Sequence, residues 1–345
     1  MHVNYFLLNL TRCAVEILNK KIMHLIENQY LKENTTFSKD ITMHDLFSIY
    51  TKVQKQFKQH LKEYFVFDDN VRFYPNKPKM SDLQIISLAV TSECLGIDSE
   101  NLLYSKIKKD YSKRFPNLMH RTNYNRRKKQ LLPWIDKVIA KLSKTMDGEN
   151  KNFIIDSIPI PVCKICRAPR STVCRKDRDK VKASRSFDST ILQYYVGYKL
   201  HLIVSSSGVY QYHKLLPANL HDITPLKELE FTHLSDCILI GDKAYRSNPL
   251  QLKLFEHFNI ELSSPYRENQ KDFKKYPYER KIIRKRIETC FSQYCDDFNI
   301  KRNYAKSFSG INTRISTKIA AMTFKQYWNY LHGNKISRTK HSLAA

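Results

Sequence analysis

The sequence predicts an α/β fold: a mixed sheet flanked by helices and preceded by a helical domain. Two observations carry this. After the polar stretch "DGENKN", short apolar runs alternate with amphipathic segments, which is how strands and helices that share one sheet are written. Before it, apolar residues recur at helical spacing, as in Leu46, Ile49, Val53, Phe57, Leu61 and Phe65, with Lys and Gln on the opposite face.

Each element follows in order. Residues 1–42 read as a helix and a polar stretch, "KENTTFSKDIT", an N-terminal extension without which a chain starting at Met43 is expected to be competent. Residues 43–147 read as an all-helical domain. Its first helix starts near Met43, its second is "SDLQIISLAVTSECLGI" with Ser81-Asp82 as the cap, and its last is "LLPWIDKVIAKLSKTM" after the basic loop "HRTNYNRRKKQ". DNA binding is the functional reading of this domain, against a simple packing cap. Residues 148–330 carry the sheet. "FIIDS" is a buried strand, and "YYVGYKLHLIV", the turn "SSSG" and "VYQYHKLL" form a hairpin. "ITPLKELEFTHL" and "NPLQLKLFEHFN" are helices with an early proline, "DCILIG" and "IELSSP" are strands, and "YPYERKIIRKRIETCFSQYCDDF" is a long basic helix. Residues 331–345 are a basic tail.

Charge narrows the partner. The 345 residues hold 59 Lys and Arg against 33 Asp and Glu, a net charge of +26. A field of that sign attracts polyanions and points to nucleic acid over a merely solvated basic surface or a Lys-rich composition. No apolar run approaches the ~20 residues that span a bilayer, so no membrane partner is expected. The eight cysteines are scattered irregularly, which suits reduced thiols in a cytosol better than a disulfide framework. There is no P-loop, dinucleotide fingerprint or nucleophile elbow.

The acids hold the chemistry. "FIIDS" ends an apolar run in Asp156, and "ILIGDKAYRS" ends another in Asp242, at strand ends where α/β sheets bind ligands. Glu288 lies in the basic helix, four residues after Arg284 and on the same face. Hard divalent cations prefer carboxylate oxygens. A pair of such ions can activate a nucleophile and stabilise a leaving oxygen at a phosphodiester.

The segments "IIDSIPIPVC", "GYKLHLIVSSSG", "LLPANLHDITPL", "LIGDKAYRS" and "RKRIETCFSQ" resemble the DDE transposases of bacterial insertion sequences, in the branch with an Asp-Ser-x-Pro-x-Pro-Val-Cys run. The resemblance covers roughly residues 43–330. It implies a ribonuclease H-like core and the triad Asp156, Asp242 and Glu288 binding two Mg²⁺ (or Mn²⁺) ions. It also implies an enzyme that cleaves element ends at terminal inverted repeats and joins them to target DNA, as a homo-oligomer assembled on DNA. The setting it implies is the bacterial cytoplasm, at the nucleoid. The sequence departs from the broader pattern at two places: Lys281 stands where relatives carry Tyr, and Cys295 where they carry Lys. A stand-alone metal-dependent nuclease and an inactive DNA-binding copy are the rival readings.

Lys199, Lys243, Arg246, Lys281, Arg284 and Arg286 are the candidate DNA contacts. Lys199 and His201 share one face of their strand and are expected to look toward the acids. Asp222 is read as the cap of the helix that follows it. Cys163, Cys166 and Cys174, with His201, form a candidate zinc set. The simpler reading of that stretch is a basic loop approaching DNA, carrying Arg167, Arg170, Arg175, Lys176, Arg178, Lys180, Lys182 and Arg185.

Overall fold

The computed structural model describes residues 45–174, 181–231, 234–266, 273–340 and 342–343. The expectations for residues 1–42, and for Arg175, Lys176, Arg178 and Lys180, lie outside the described residues. Residues 46–345 cluster as one compact unit.

Five helices come first: α1 (Leu46–Leu61), α2 (Asp82–Cys94), α3 (Glu100–Asp110), α4 (Arg121–Gln130) and α5 (Leu132–Asp147). α1 buries Leu46, Ile49, Val53, Phe57 and Leu61, the apolar stripe of its sequence. Ser81 caps α2 in a capping box with Gln84, satisfying two end amides reciprocally. α4 is a correction: the stretch read as a basic loop is a helix. Its charges do not prevent this, because Arg127 and Lys128 turn inward onto Asp82 and Glu100.

The sheet follows, with β1 (Asn152–Lys164), β2 (Ser184–Asp188), β3 (Gln193–Ser205), β4 (Tyr210–Pro217), β5 (Cys237–Ile240) and β6 (Ile260–Ser263). Its order is β4-β3-β1-β5-β6, and β2 extends the same edge of β3 that β4 occupies. β3 and β4 run antiparallel to their neighbours, and β5 and β6 run parallel to β1. This mixed, helix-flanked sheet is ribonuclease H-like. β2 was not expected; it forms inside the stretch read as a basic loop.

β1 runs straight through Pro159 and Pro161. Proline cannot donate to a ladder and is confined to open edges. β5 pairs with β1 only from Asn152 to Ile154, so beyond Asp156 that edge of β1 is open and the prolines break no bond. On the other edge Pro161 faces Gly197. A Cβ at Gly197 would stand 2.2 Å from the Ile160 carbonyl oxygen, so the strands approach that closely only over a glycine.

α6 (Asn248–Phe258) links β5 to β6, and α7 (Tyr278–Phe298) and α8 (Phe308–Leu331) complete the chain. The segment Thr224–Phe231, expected to be an α-helix, is a 3₁₀-helix. α8 contacts α2, α4, α5, α7 and β4, joining the N-terminal helices to the sheet. Its polar residues are buried but bonded: Lys318 meets Glu93, Ser316 meets His213, and Gln326 donates to the Gly208 carbonyl. No helix among the described residues is long and apolar enough to cross a membrane, and the seven described cysteines are free.

Candidate active site

Strand alternation sorts the residues around Asp156. Successive side chains of β1 point to opposite faces of the sheet. Ile154, Ile158 and Ile160 join the core that includes Ile287 of α7, while Phe153 and Ile155 join the core that includes Tyr245 and Leu254 of α6. Asp156 therefore shares the α7 face. Asp242 follows β5 in phase with Ile238 and Ile240, so it takes the same face, and α7 supplies Arg284 and Glu288 there. The Arg284 guanidinium lies 3.8 Å from Asp242 Oδ1 and 3.8 Å from Glu288 Oε1.

Asp156, half-buried on its strand, is the most desolvated member of this set. Loss of solvent pushes its carboxyl up to about 6; the charges of Asp242 and Asp222 add to this, and the Ser157 amide and Arg284 oppose it. Ser157 N–H donates to Asp156 Oδ1 at 2.8 Å, fixing the carboxylate against its own strand. Asp242 and Glu288 have side chains about half exposed, at 47% and 57%, so they face a surface that a polymer can reach.

The opposite face carries a second polar group. Ser157, Lys199, His201 and Tyr245 meet there with Asp222. Lys199 Nζ donates to Asp222 Oδ1 at 2.9 Å and to the Leu220 carbonyl at 3.3 Å, and Ser157 Oγ donates to the same Asp222 oxygen at 3.4 Å. His201 Nδ1 lies 3.2 Å from the Tyr245 hydroxyl. Burial lowers His201 to about 4, so its ring is neutral at physiological pH. Lys199 and His201 do share a face, as the sequence indicated, but it is the face away from Asp156. Asp222 pairs with Lys199 and Ser157, a partnership its sequence neighbourhood does not signal.

The other candidates divide. Lys243, beside Asp242, and Lys281 are exposed. Arg246 lies over the Tyr266 ring at 3.4 Å and donates to the Ser264 carbonyl. Arg286 is turned to the hairpin between β3 and β4, where its Nε donates to the Ser207 carbonyl at 3.1 Å. That bond ties Arg286 to the turn, whereas the sequence reading placed it among the candidate DNA contacts.

Among the described residues no group of three His, Cys, Asp or Glu side chains is assembled closely enough to hold a metal ion. Cys163, Cys166 and Cys174 do not come together with His201, which is bonded to Tyr245 instead. The acids nonetheless fit a hard cation in kind. All three offer carboxylate oxygens, they share one face, and the Asp156 carboxylate, held up first by loss of solvent and then by the neighbouring acids, is a charge that a cation would stabilise.

Residues 147–307 match the family model described as a transposase DDE domain. That span contains β1, β5, α7 and all three acids. The chain thus carries the DDE domain of a transposase. The match covers just under half of the chain, and domains of that family act on DNA and use divalent metal in general. No curated protein matches the chain by sequence. Among solved structures it is similar to a piggyBac transposase synaptic complex with hairpin DNA, determined by cryo-EM. The identity is 10% and the TM-score 0.43, over 88% of this chain and 78% of that one.

Proposed function

We propose that the chain cleaves DNA at the ends of a mobile element and joins the freed 3′ ends to target DNA, with Asp156, Asp242 and Glu288 as the catalytic acids. The observation that supports this is their convergence: a strand, the loop after a neighbouring parallel strand, and a helix each present one acid to the same face of the sheet. The acids would hold two Mg²⁺ (or Mn²⁺) ions, which when bound activate the attacking oxygen and stabilise the leaving one.

The chain's own groups supply position and charge. Asp156 sits on a paired strand, a rigid mount, with one oxygen anchored by Ser157 N–H. Arg284 balances Asp242 and Glu288 and can turn to a phosphate when a cation takes its place. Lys243 and Lys281, exposed near the second and third acids, hold the DNA backbone and give it register without reading its sequence. Residues 43–147 bind DNA, and copies of the chain assemble on it to bring two ends together.

The test uses purified full-length protein, Mg²⁺ and a supercoiled plasmid carrying the gene with its flanking DNA. Nicking at the flanks followed by joining is expected for the wild type. Both are lost in D156A, D242A and E288A while binding is retained. A D242A protein that still nicks overturns the assignment of the acids. Cleavage without joining makes the enzyme a nuclease.

A further inference from the structure

The basic helix α4 has two faces with different chemistry. Its ten residues, "RTNYNRRKKQ", contain five basic side chains and no acid. On the inner face Arg127 Nη2 bonds Asp82 at 2.5 Å and its Nη1 bonds the Met80 carbonyl at 2.7 Å, while Lys128 and Asn125 hold Glu100. That side is neutralised and locked. On the outer face Thr122, Asn123, Arg126 and Gln130 are exposed at helical spacing. Among the described residues Arg126 meets no acid; its Nη2 donates to Asn123 Oδ1 at 3.4 Å.

The surroundings have a matching shape. Two hollows flank the start of α4, of about 510 and 710 Å³, and they share Met119 and His120 as their common wall. The first is lined on the α4 side by Asn123, Arg126 and Gln130 and bordered across from them by Lys79, and the second is bordered by Lys108 and Arg121. The N-terminal turn of α4 is thus a ridge between two depressions, each with cations at its border. A major groove about 12 Å wide admits one helix, and the two phosphate backbones then pass on either side of it.

We propose that α4 enters the major groove of duplex DNA and that Asn123, Arg126 and Gln130 read base edges. These side chains have the required donors and acceptors: Arg spans guanine O6 and N7, and Asn or Gln spans adenine N6 and N7. The flanking cations Lys79, Lys108 and Arg121 meet phosphates and set the register. The occupant is duplex DNA because the outward charge is wholly cationic and the reading side chains are polar rather than apolar. The inference rests on DNA being the partner but not on the three acids, so cleavage activity can fail without affecting it.

The experiment is selection by the full-length protein from a library of duplexes with a randomised central segment, without divalent metal. The wild type is expected to enrich a motif. R126K keeps the charge but loses the two-pronged contact, and it should lower the preference for one base pair by about tenfold while leaving binding to a scrambled duplex nearly unchanged. N123A should relax a neighbouring position. Placing 7-deazaguanine in the enriched site should weaken the wild type and not R126K. Both side chains are exposed, so melting temperatures should match the wild type. A wild type that enriches no motif, or variants that enrich the wild-type motif with unchanged preference, overturns the proposal.

Discussion

Arg284 stands 3.8 Å from the carboxylate of Asp242, joining the middle of α7 to the loop after β5. That is too long for a hydrogen bond, and Glu288 lies at the same distance on the other side. The guanidinium works as a charge between two acids. Exposed pairs of this kind contribute about 0–1 kcal/mol, so R284Q should melt close to the wild type. Its electrostatic effect is larger than its effect on stability, because Arg284 is one of the two groups that hold the Asp156 carboxyl down. In R284Q that carboxyl should titrate at higher pH. Carboxyl titration by NMR checks this, and an unchanged or lower midpoint would refute it.

Asp156 itself should make the metal-free protein less stable at neutral pH. Its folded pKa, raised to about 6 from an ordinary 3.8, means that the folded state binds the proton more tightly than the unfolded one. Stability therefore falls as pH rises from about 4 to about 6 and stays reduced above that. D156N removes the charge and can still accept the Ser157 amide. At pH 8 without divalent metal it should be more stable than the wild type, by on the order of 2 kcal/mol, and the gap should close below pH ~4. Mg²⁺ should raise the melting temperature of the wild type more than that of D156N. Thermal melts across pH, with and without Mg²⁺, measure both arms.

Much of this arrangement was legible in the sequence, and the misses have physical reasons. Asp156, Asp242 and Glu288 stand out because each interrupts an apolar or basic run. The strands around them are short and apolar enough to read. α8 leaves no such trace, since a helix buried on every side has no amphipathic period. Its Thr, Ser, Lys and Gln residues look like surface until their partners on α2, β4 and the β3–β4 turn are known. α4 hid for the related reason that its inward charges are paired with acids distant in sequence. Which face Lys199 takes depends on the register of β3 against β1, and register is a long-range property.

The ion pair of Lys318 with Glu93 ties α8 to α2. Both side chains are nearly inaccessible, at 1% and 8%, with 2.6 Å between Nζ and Oε2. Nζ also donates to the Phe298 carbonyl at the end of α7. Removing one partner of a buried pair leaves the other charge uncompensated, at a cost of about 3–5 kcal/mol. K318M should lose that much in urea unfolding. K318M/E93Q should recover a large part of it, because the stranded carboxylate is gone. A double variant no better than K318M would mean that the contact to Phe298, and not the pair, matters.

Gly208 and Arg286 should prove to be coupled. Gly208 has φ +86°, a left-handed conformation that side chains adopt rarely, and a Cβ there would stand 2.3 Å from Arg286 Nε. Arg286 in turn donates to the Ser207 carbonyl, closing the β3–β4 turn against α7. G208A should therefore destabilise in two ways, by backbone strain of about 1–3 kcal/mol and by unseating Arg286. R286A should lose the charged hydrogen bond, about 1–2 kcal/mol for a partly exposed group. Because G208A already displaces the arginine, the double variant should cost less than the sum of the two singles, and that coupling is what a double-mutant cycle reads. A simple sum would show that the two residues act independently. The same R286A protein separates packing from DNA contact. Each neutralised phosphate contributes to the slope of log affinity against log salt. An arginine held by the turn contributes nothing there, so the slope of R286A should equal that of the wild type. A flatter slope would place Arg286 on DNA after all.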